Sequence, residues 1–354
     1  MTAAERRAAT MKAAGMRVLW LLLVAAMLTW LSSRVDWAAT QHHLRRMGMR
    51  APWVLAPYLF VVACDTFGWQ ASFEFPRAVS LRVLWCIRVA TDALANSLPA
   101  GMAVGETLKA LLLGRLLGIG MADAAANVLV SKFSLAIAQG IFLALGVALS
   151  SRELALHSQA LIGRPGLEWL GGLAALAFLA VLVTLVILVQ RAVLSRVLVG
   201  LRAVANATWH ARLTRWEAPL ARVDYGLRVV ARLPAPQALA SIVFFLMGWL
   251  CLGLENWVIL SLLSSGVTAA NAISMEAIVS IVRVLFFFIP AAFGAQEVSY
   301  YALFKVYDVP DAESVTAAFM LTKRAKEACF VALGYVLLSF LPARVVEARG
   351  TATP

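Results

Sequence analysis

The chain has 354 residues, 62% of them apolar and 14% charged, against about 45–50% and about 25% in an average soluble domain. That balance excludes a soluble globular fold, and the apolar runs, about twenty residues long and without alternation, exclude a barrel; the expected class is an all-α polytopic membrane protein. The net charge of +12, from 31 Lys and Arg against 19 Asp and Glu, points beside so many spans to anionic lipid headgroups and not to nucleic acid.

In chain order, residues 1–17 are short and basic and lead into a first span at about 17–33. The run is followed by Ser-Ser-Arg-Val-Asp without an Ala-x-Ala site, so it is expected to remain in the protein. Residues 34–51 form a polar connection rich in His and Arg. A second span, about 52–75, carries Asp65, and a third, about 80–98, carries Arg82, Arg88, Asp92 and Asn96. Arg88 and Asp92 are four apart and share a helix face, where they can neutralise each other.

A Pro/Gly break follows, Ser97-Leu-Pro-Ala-Gly-Met-Ala-Val-Gly-Glu106, and then Thr107–Leu117, too short to span and therefore read as re-entrant. The fourth span, about 121–149, includes Asn127, Lys132 and Gln139, and a fifth runs over about 167–189. Residues 191–236 hold eight Arg against Glu217 and Asp224, with apolar residues at steps of three and four. This is expected to be an amphipathic helix in the headgroup region.

The sixth span, about 237–263, contains Glu255 and Asn256, and the seventh, about 273–289, contains Glu276 and Arg283. A second break, Ile289-Pro-Ala-Ala-Phe-Gly-Ala-Gln-Glu297, is followed by another short segment, Val298–Tyr307. The eighth span, about 311–341, holds Lys323, Arg324, Lys326 and Glu327. The expectation is thus a single domain of about eight transmembrane helices and two re-entrant helices. If the re-entrant pieces return to their own side, residues 1–17 and 191–236 fall on opposite sides; if each broken unit crosses, both lie inside, as the positive-inside rule prefers. A cytoplasmic N-terminus is the preferred orientation.

The two breaks match. Each places a Glu seven positions after its Pro, and each Glu is followed by a Lys at a spacing of 26, giving Pro99, Glu106 and Lys132 in one unit and Pro290, Glu297 and Lys323 in the other. Residues of about 80–150 and 271–341 are therefore read as two copies of one unit. The breaks proper are Pro99, Gly101 and Gly105, and Pro290 and Gly294. Broken helices in corresponding positions of two halves are the sequence pointer to a transporter's binding site. Helices restarting near Gly105 and Gln296 would expose N–H groups with partial positive charge, yet Glu106 and Glu297 would already sit in those first turns. A headgroup phosphate would then need Lys109, Lys132, Lys323, Arg88 or Arg283, with Asn96 nearby. The bland alternative is that each Glu caps its helix and pairs with its own Lys.

Cys64, Cys86, Cys251 and Cys329 fall in apolar segments without a CxxC and are read as small core residues. His42, His43, His157 and His210 lie in loops or the amphipathic stretch and are read as solvated. Gly101-x-x-x-Gly105 and Gly114-x-x-x-Gly118 fit small-residue helix packing. No nucleotide-binding loop, HExxH or other metal motif occurs in the sequence, so no cofactor and no metal is expected.

Ala95-Asn-Ser-Leu-Pro-Ala-Gly-x-x-x-Gly-Glu106 and Phe288-Ile-Pro-x-x-x-Gly-x-x-Glu297, the latter followed by Lys323-Arg324, resemble the two signatures of the flippase-like membrane domain of lysylphosphatidylglycerol synthases. The resemblance covers about residues 17–341. It implies a stand-alone bacterial member, in a family with a hopanoid-associated branch, that sits in the inner membrane and moves a lipid between leaflets. Two departures are visible, Lys132 where Arg is frequent and Ala295-Gln296 where a second Gly is common. With no aminoacyl-transferase domain after the last helix, synthase activity is not expected. The rival readings are a membrane-embedded lipid-modifying enzyme, for which no nucleophile and base pair is found, and a scaffold that recruits a lipid-biosynthesis enzyme through residues 191–236.

Overall fold

The computed structural model describes residues 36–76, 79–98, 101–162, 233–263, 265–286 and 289–350, with isolated positions between 166 and 180. The expected first span lies outside the described residues, as do Pro99 and nearly all of the fifth span and of the basic segment 191–236.

Among the described residues every regular element is a helix. Residues 34–51, expected to be a connection, contain α1, Trp37–Met47. The Asp36 carboxylate starts it by accepting from the N–H groups of Ala38 and Ala39 at 2.9 and 3.1 Å. Arg45 and Arg46 lie in its last turn, where cations complement the helix dipole, and Gly48 ends it at φ 48°. A 3-10 turn, Gly48–Val54, leads into α2, Leu55–Ala71. His43, expected to be solvated, is tied by Nε2 to the Asp311 carboxylate at 3.2 Å, which fastens α1 to the start of the last helix.

The first unit consists of α3, Leu81–Ser97, α4, Gly101–Leu117, and α5, Met121–Ile162. After α6, Ala235–Leu262, the second unit consists of α7, Ala269–Leu285, a 3-10 turn at Pro290–Ala292, α8, Ala295–Val306, and α9, Ala312–Gly350. Three described stretches, Trp37–Ala71, Asp123–Glu153 and Ala235–Leu262, are long and apolar enough to cross a membrane. The other helices are shorter or carry more charge.

Two large apolar cores form, each drawing on helices from both halves of the chain. Trp69, Leu84, Ile87, Leu113 and Phe245 centre one, Ile259, Met275, Tyr300, Phe304 and Phe319 the other. The units are then joined crosswise, with α3 packed along α9 and α5 along α7. Glycine makes both crossings possible. A Cβ on Gly334 of α9 would lie 2.5 Å from the Val89 carbonyl oxygen of α3, and one on Gly146 of α5 would lie 2.2 Å from the Cβ of Ala277 in α7. Without side chains the backbones approach closely, the usual basis of helix packing where lipid supplies no hydrophobic drive. Cys329, unlike a core residue, is exposed.

Candidate functional site

The first break is tighter than its sequence suggests. Leu98 ends α3 in an extended conformation, as a residue before proline prefers, and α4 restarts at Gly101. A Cβ on Gly101 would lie 2.5 Å from the Leu94 carbonyl oxygen, and one on Gly105 would lie 2.9 Å from that of Thr91, so both glycines serve the packing of α4 against α3. Because the described helix already runs from Gly101, Glu106 stands in its second turn and caps no backbone group among the described residues, contrary to the expected restart near Gly105.

Glu106 instead gathers lysines. Its Oε1 accepts from Lys132 of α5 at 2.7 Å and from Lys109 of α4 at 3.3 Å, while its buried Oε2 has no partner among the described residues. Lys109 also lies 5.3 Å from the centre of the Trp69 ring. Arg88 of α3 bridges Asp65 of α2 at 2.5 Å and Asp92 of its own helix at 3.3 Å, so the expected Arg88–Asp92 pair is shared with a third group. Arg88 is within reach of the Glu106 charge, and Asp65 of Lys109 and Lys132. Three carboxylates thus face three cations, and the cluster is partly open: Lys132 keeps 37% of its side-chain surface exposed and Glu106 26%. Asn96 does not join it but stands exposed at the end of α3.

The second break is built differently. Ala291 and Ala292 adopt φ 47° and 46°, a left-handed conformation that costs a non-glycine residue about 1–2 kcal/mol. Side chains hold it in place: the Ala291 carbonyl accepts from Gln296 Nε2 at 2.6 Å and from Arg324 Nη2 at 3.2 Å. Gly294 starts α8, and its N–H donates to Glu297 Oε2 at 2.6 Å, so this glutamate is a cap. Its other oxygen takes Arg324 at 2.8 Å. The partner expected from the matched spacing, Lys323, points elsewhere, because consecutive helix residues diverge by about 100°.

Lys323 enters a closed network. Its ammonium donates to Asn256 Oδ1 at 2.8 Å, to the Tyr300 hydroxyl at 3.1 Å and to Glu276 Oε2 at 3.3 Å. Glu276 also accepts from Asn256 at 2.7 Å, from Tyr300 at 2.5 Å and from Arg283. Nearby, Lys326 donates to Glu255 at 2.6 Å and lies 3.9 Å from the Tyr58 ring centre. Four cations face Glu255, Glu276, Glu297 and Glu327, and Glu276 and Glu255 have no exposed side-chain surface. Tyr58 of α2 connects the two clusters, within reach of Asp92 and Arg88 on one side and of Glu255 and Glu327 on the other.

The expected site residues therefore separate into two groups. Glu106, Lys109, Lys132 and Arg88 come together in the open cluster. Glu297, Lys323 and Arg283 belong to the closed one, where all their charges are matched. Tyr58, Tyr300 and Arg324 were not anticipated as members. Arg324 adjoins Lys323 in sequence and was legible as an alternative partner; nothing in the sequence marks the two tyrosines.

A family model described as "Lysylphosphatidylglycerol synthase TM region" matches residues 17–322. No curated protein and no solved structure matches the chain.

Proposed function

The chain belongs to the lysylphosphatidylglycerol synthase transmembrane-region family and is a membrane protein, and from that premise we propose that it moves a phospholipid or another polar lipid between the leaflets of a bacterial inner membrane. In this reading it crosses the membrane about eight times, with two broken helices related by an internal repeat, and works as a transporter and not as an enzyme. The observation that carries the reading is the asymmetry between the clusters. Charges inside hydrocarbon are costly, about 2.5–3.5 kcal/mol each on insertion scales. The second cluster buries its Glu276–Lys323 and Glu255–Lys326 pairs almost completely, whereas the first leaves its Glu106–Lys132 pair partly exposed.

A headgroup enters the first cluster by exchange. Because three carboxylates already balance three cations there, a phosphate takes Lys132 and Lys109 from Glu106, and the freed carboxylate accepts a donor from the same headgroup. The tails stay in the bilayer. Arg88 is kept in position by Asp65 and Asp92, and Gly101 and Gly105 hold α4 close enough to α3 for side chains of four helices, α2 to α5, to share one site. The second cluster fixes the shape of the other break.

The test is leaflet exchange of a fluorescent phospholipid in vesicles containing the purified full-length chain. Exchange faster than in protein-free vesicles is the expected result. Equal rates for anionic, zwitterionic and glycosylated lipids alike would end the transport reading.

A further inference from the structure

Residues 45–53, Arg-Arg-Met-Gly-Met-Arg-Ala-Pro-Trp, carry three arginines and no acidic residue at the junction of α1 and α2. The two sides of α1 differ in what they touch. Thr40, His43, Leu44 and Met47 recur at steps of three and four and face the protein. His43 meets Asp311, Met47 meets Thr322 of α9, and Leu44 and Met47 join an apolar core. Gln41, His42, Arg45 and Arg46 lie on the other side and stand exposed. Beyond Gly48 the turn keeps this character, with Arg50 exposed between Met49 and Trp53, whose surfaces are 97% and 68% open.

The place of this surface follows from α2. Its outward residues Leu59, Phe60 and Phe67 are apolar and exposed, as on a helix side that meets lipid tails, whereas polar and charged side chains such as those of α1 are costly in hydrocarbon. The boundary between tails and headgroups therefore falls at the turn between the two helices. There arginines reach the phosphates while Trp and Met rest on the acyl side. Acidic residues of α1 and α9 are engaged otherwise: the Asp36 carboxylate caps α1, Asp311 holds His43 and Ser314, and Glu313 accepts from Tyr301. A guanidinium fork matches two phosphate oxygens at once. Three such forks with no carboxylate between them in the sequence favour a phosphate that has no ammonium group of its own.

We infer that α1 and the turn after it form a docking surface for anionic phospholipid headgroups, with Arg45, Arg46 and Arg50 on the phosphates and Met49 and Trp53 among the upper acyl chains. The surface also sets depth. Asp65 follows Leu55 by ten residues on α2, about 15 Å along the helix, which is halfway through a hydrocarbon layer of roughly 30 Å. Held at the headgroups by its first end, α2 carries the open cluster near the middle of the bilayer.

The experiment follows tryptophan fluorescence of the full-length chain in phosphatidylcholine vesicles doped with phosphatidylglycerol or phosphatidylcholine that bears a nitroxide quencher near the headgroup. The share of Trp53 is the difference between wild type and Trp53→Phe. That share is expected to be quenched at lower doping by the phosphatidylglycerol probe, and less so as salt is raised. The preference should fall about fivefold for each arginine removed, once in Arg50→Gln and further in the triple variant Arg45→Gln, Arg46→Gln, Arg50→Gln. Equal quenching of Trp53 by the two probes overturns the inference. A triple variant that melts with the wild type and keeps the preference overturns it as well, because basic residues elsewhere then gather the lipid. Leaflet exchange does not enter this readout, so neither result bears on the transport reading.

Discussion

Arg324 holds Glu297 at 2.8 Å and the Ala291 carbonyl at 3.2 Å, so one side chain clasps both the cap of α8 and the left-handed backbone before it. Among the described residues the first break has no counterpart of this clasp. There the helices are joined by glycine packing, and the glutamate turns to two lysines instead. Two stretches with the same residue spacing thus use their glutamates differently, one as a cap held by an arginine and one as the partner of two lysines.

Arg324→Ala is expected to destabilise the protein by about 3–5 kcal/mol, the usual cost of leaving a buried carboxylate without its cation. Arg324→Lys keeps a charge near Glu297 but lacks the planar fork that reaches Ala291, so its loss is smaller. Thermal unfolding of the detergent-solubilised variants measures both. An unchanged melting temperature for the alanine variant would contradict the role given to this residue.

Glu276 and Lys323 are expected to behave as one unit. Glu276→Gln and Lys323→Met should each be strongly destabilising, while the double variant should lose less than the sum of the two by about 0.5–3 kcal/mol. A double-variant cycle read by the same thermal assay decides this; additive losses would mean that the buried contact is not energetically coupled.

Gly146→Val and Gly334→Val are expected to cost about 1–3 kcal/mol or more through overpacking, since their side chains would enter a neighbouring helix. Circular dichroism should still show helices, because only the docking of one unit on the other is disturbed. Variants that melt with the wild type would show that the crosswise packing of α5 on α7 and α3 on α9 is looser than described.

Much of this architecture was legible in the sequence. Composition gave the all-helical membrane class, and the Pro/Gly stretches marked both breaks, because chain interruption is a local property of residue type. Glu106 and Lys132 were matched by spacing alone. The same spacing failed for Glu297 and Lys323, because a difference of one residue rotates a side chain by about 100° on a helix. Asp65, Tyr58 and Tyr300 come from helices far away in sequence, and no local pattern reveals which helix faces which. The cap formed by Glu297 and the missing cap at Glu106 depend on where each helix restarts, within a few residues that propensity does not resolve.

The central claim is that the open cluster handles the headgroup while the closed one maintains structure. Its most direct test is leaflet exchange per folded protein for Glu106→Gln beside Glu297→Gln, with melting temperatures measured on the same samples. Loss of a charge-assisted contact worth about 1.5–3 kcal/mol predicts that Glu106→Gln slows exchange roughly ten- to hundredfold at nearly wild-type stability, whereas Glu297→Gln mainly lowers the melting temperature. Wild-type exchange in Glu106→Gln, or equal loss of stability in both variants, would contradict the account.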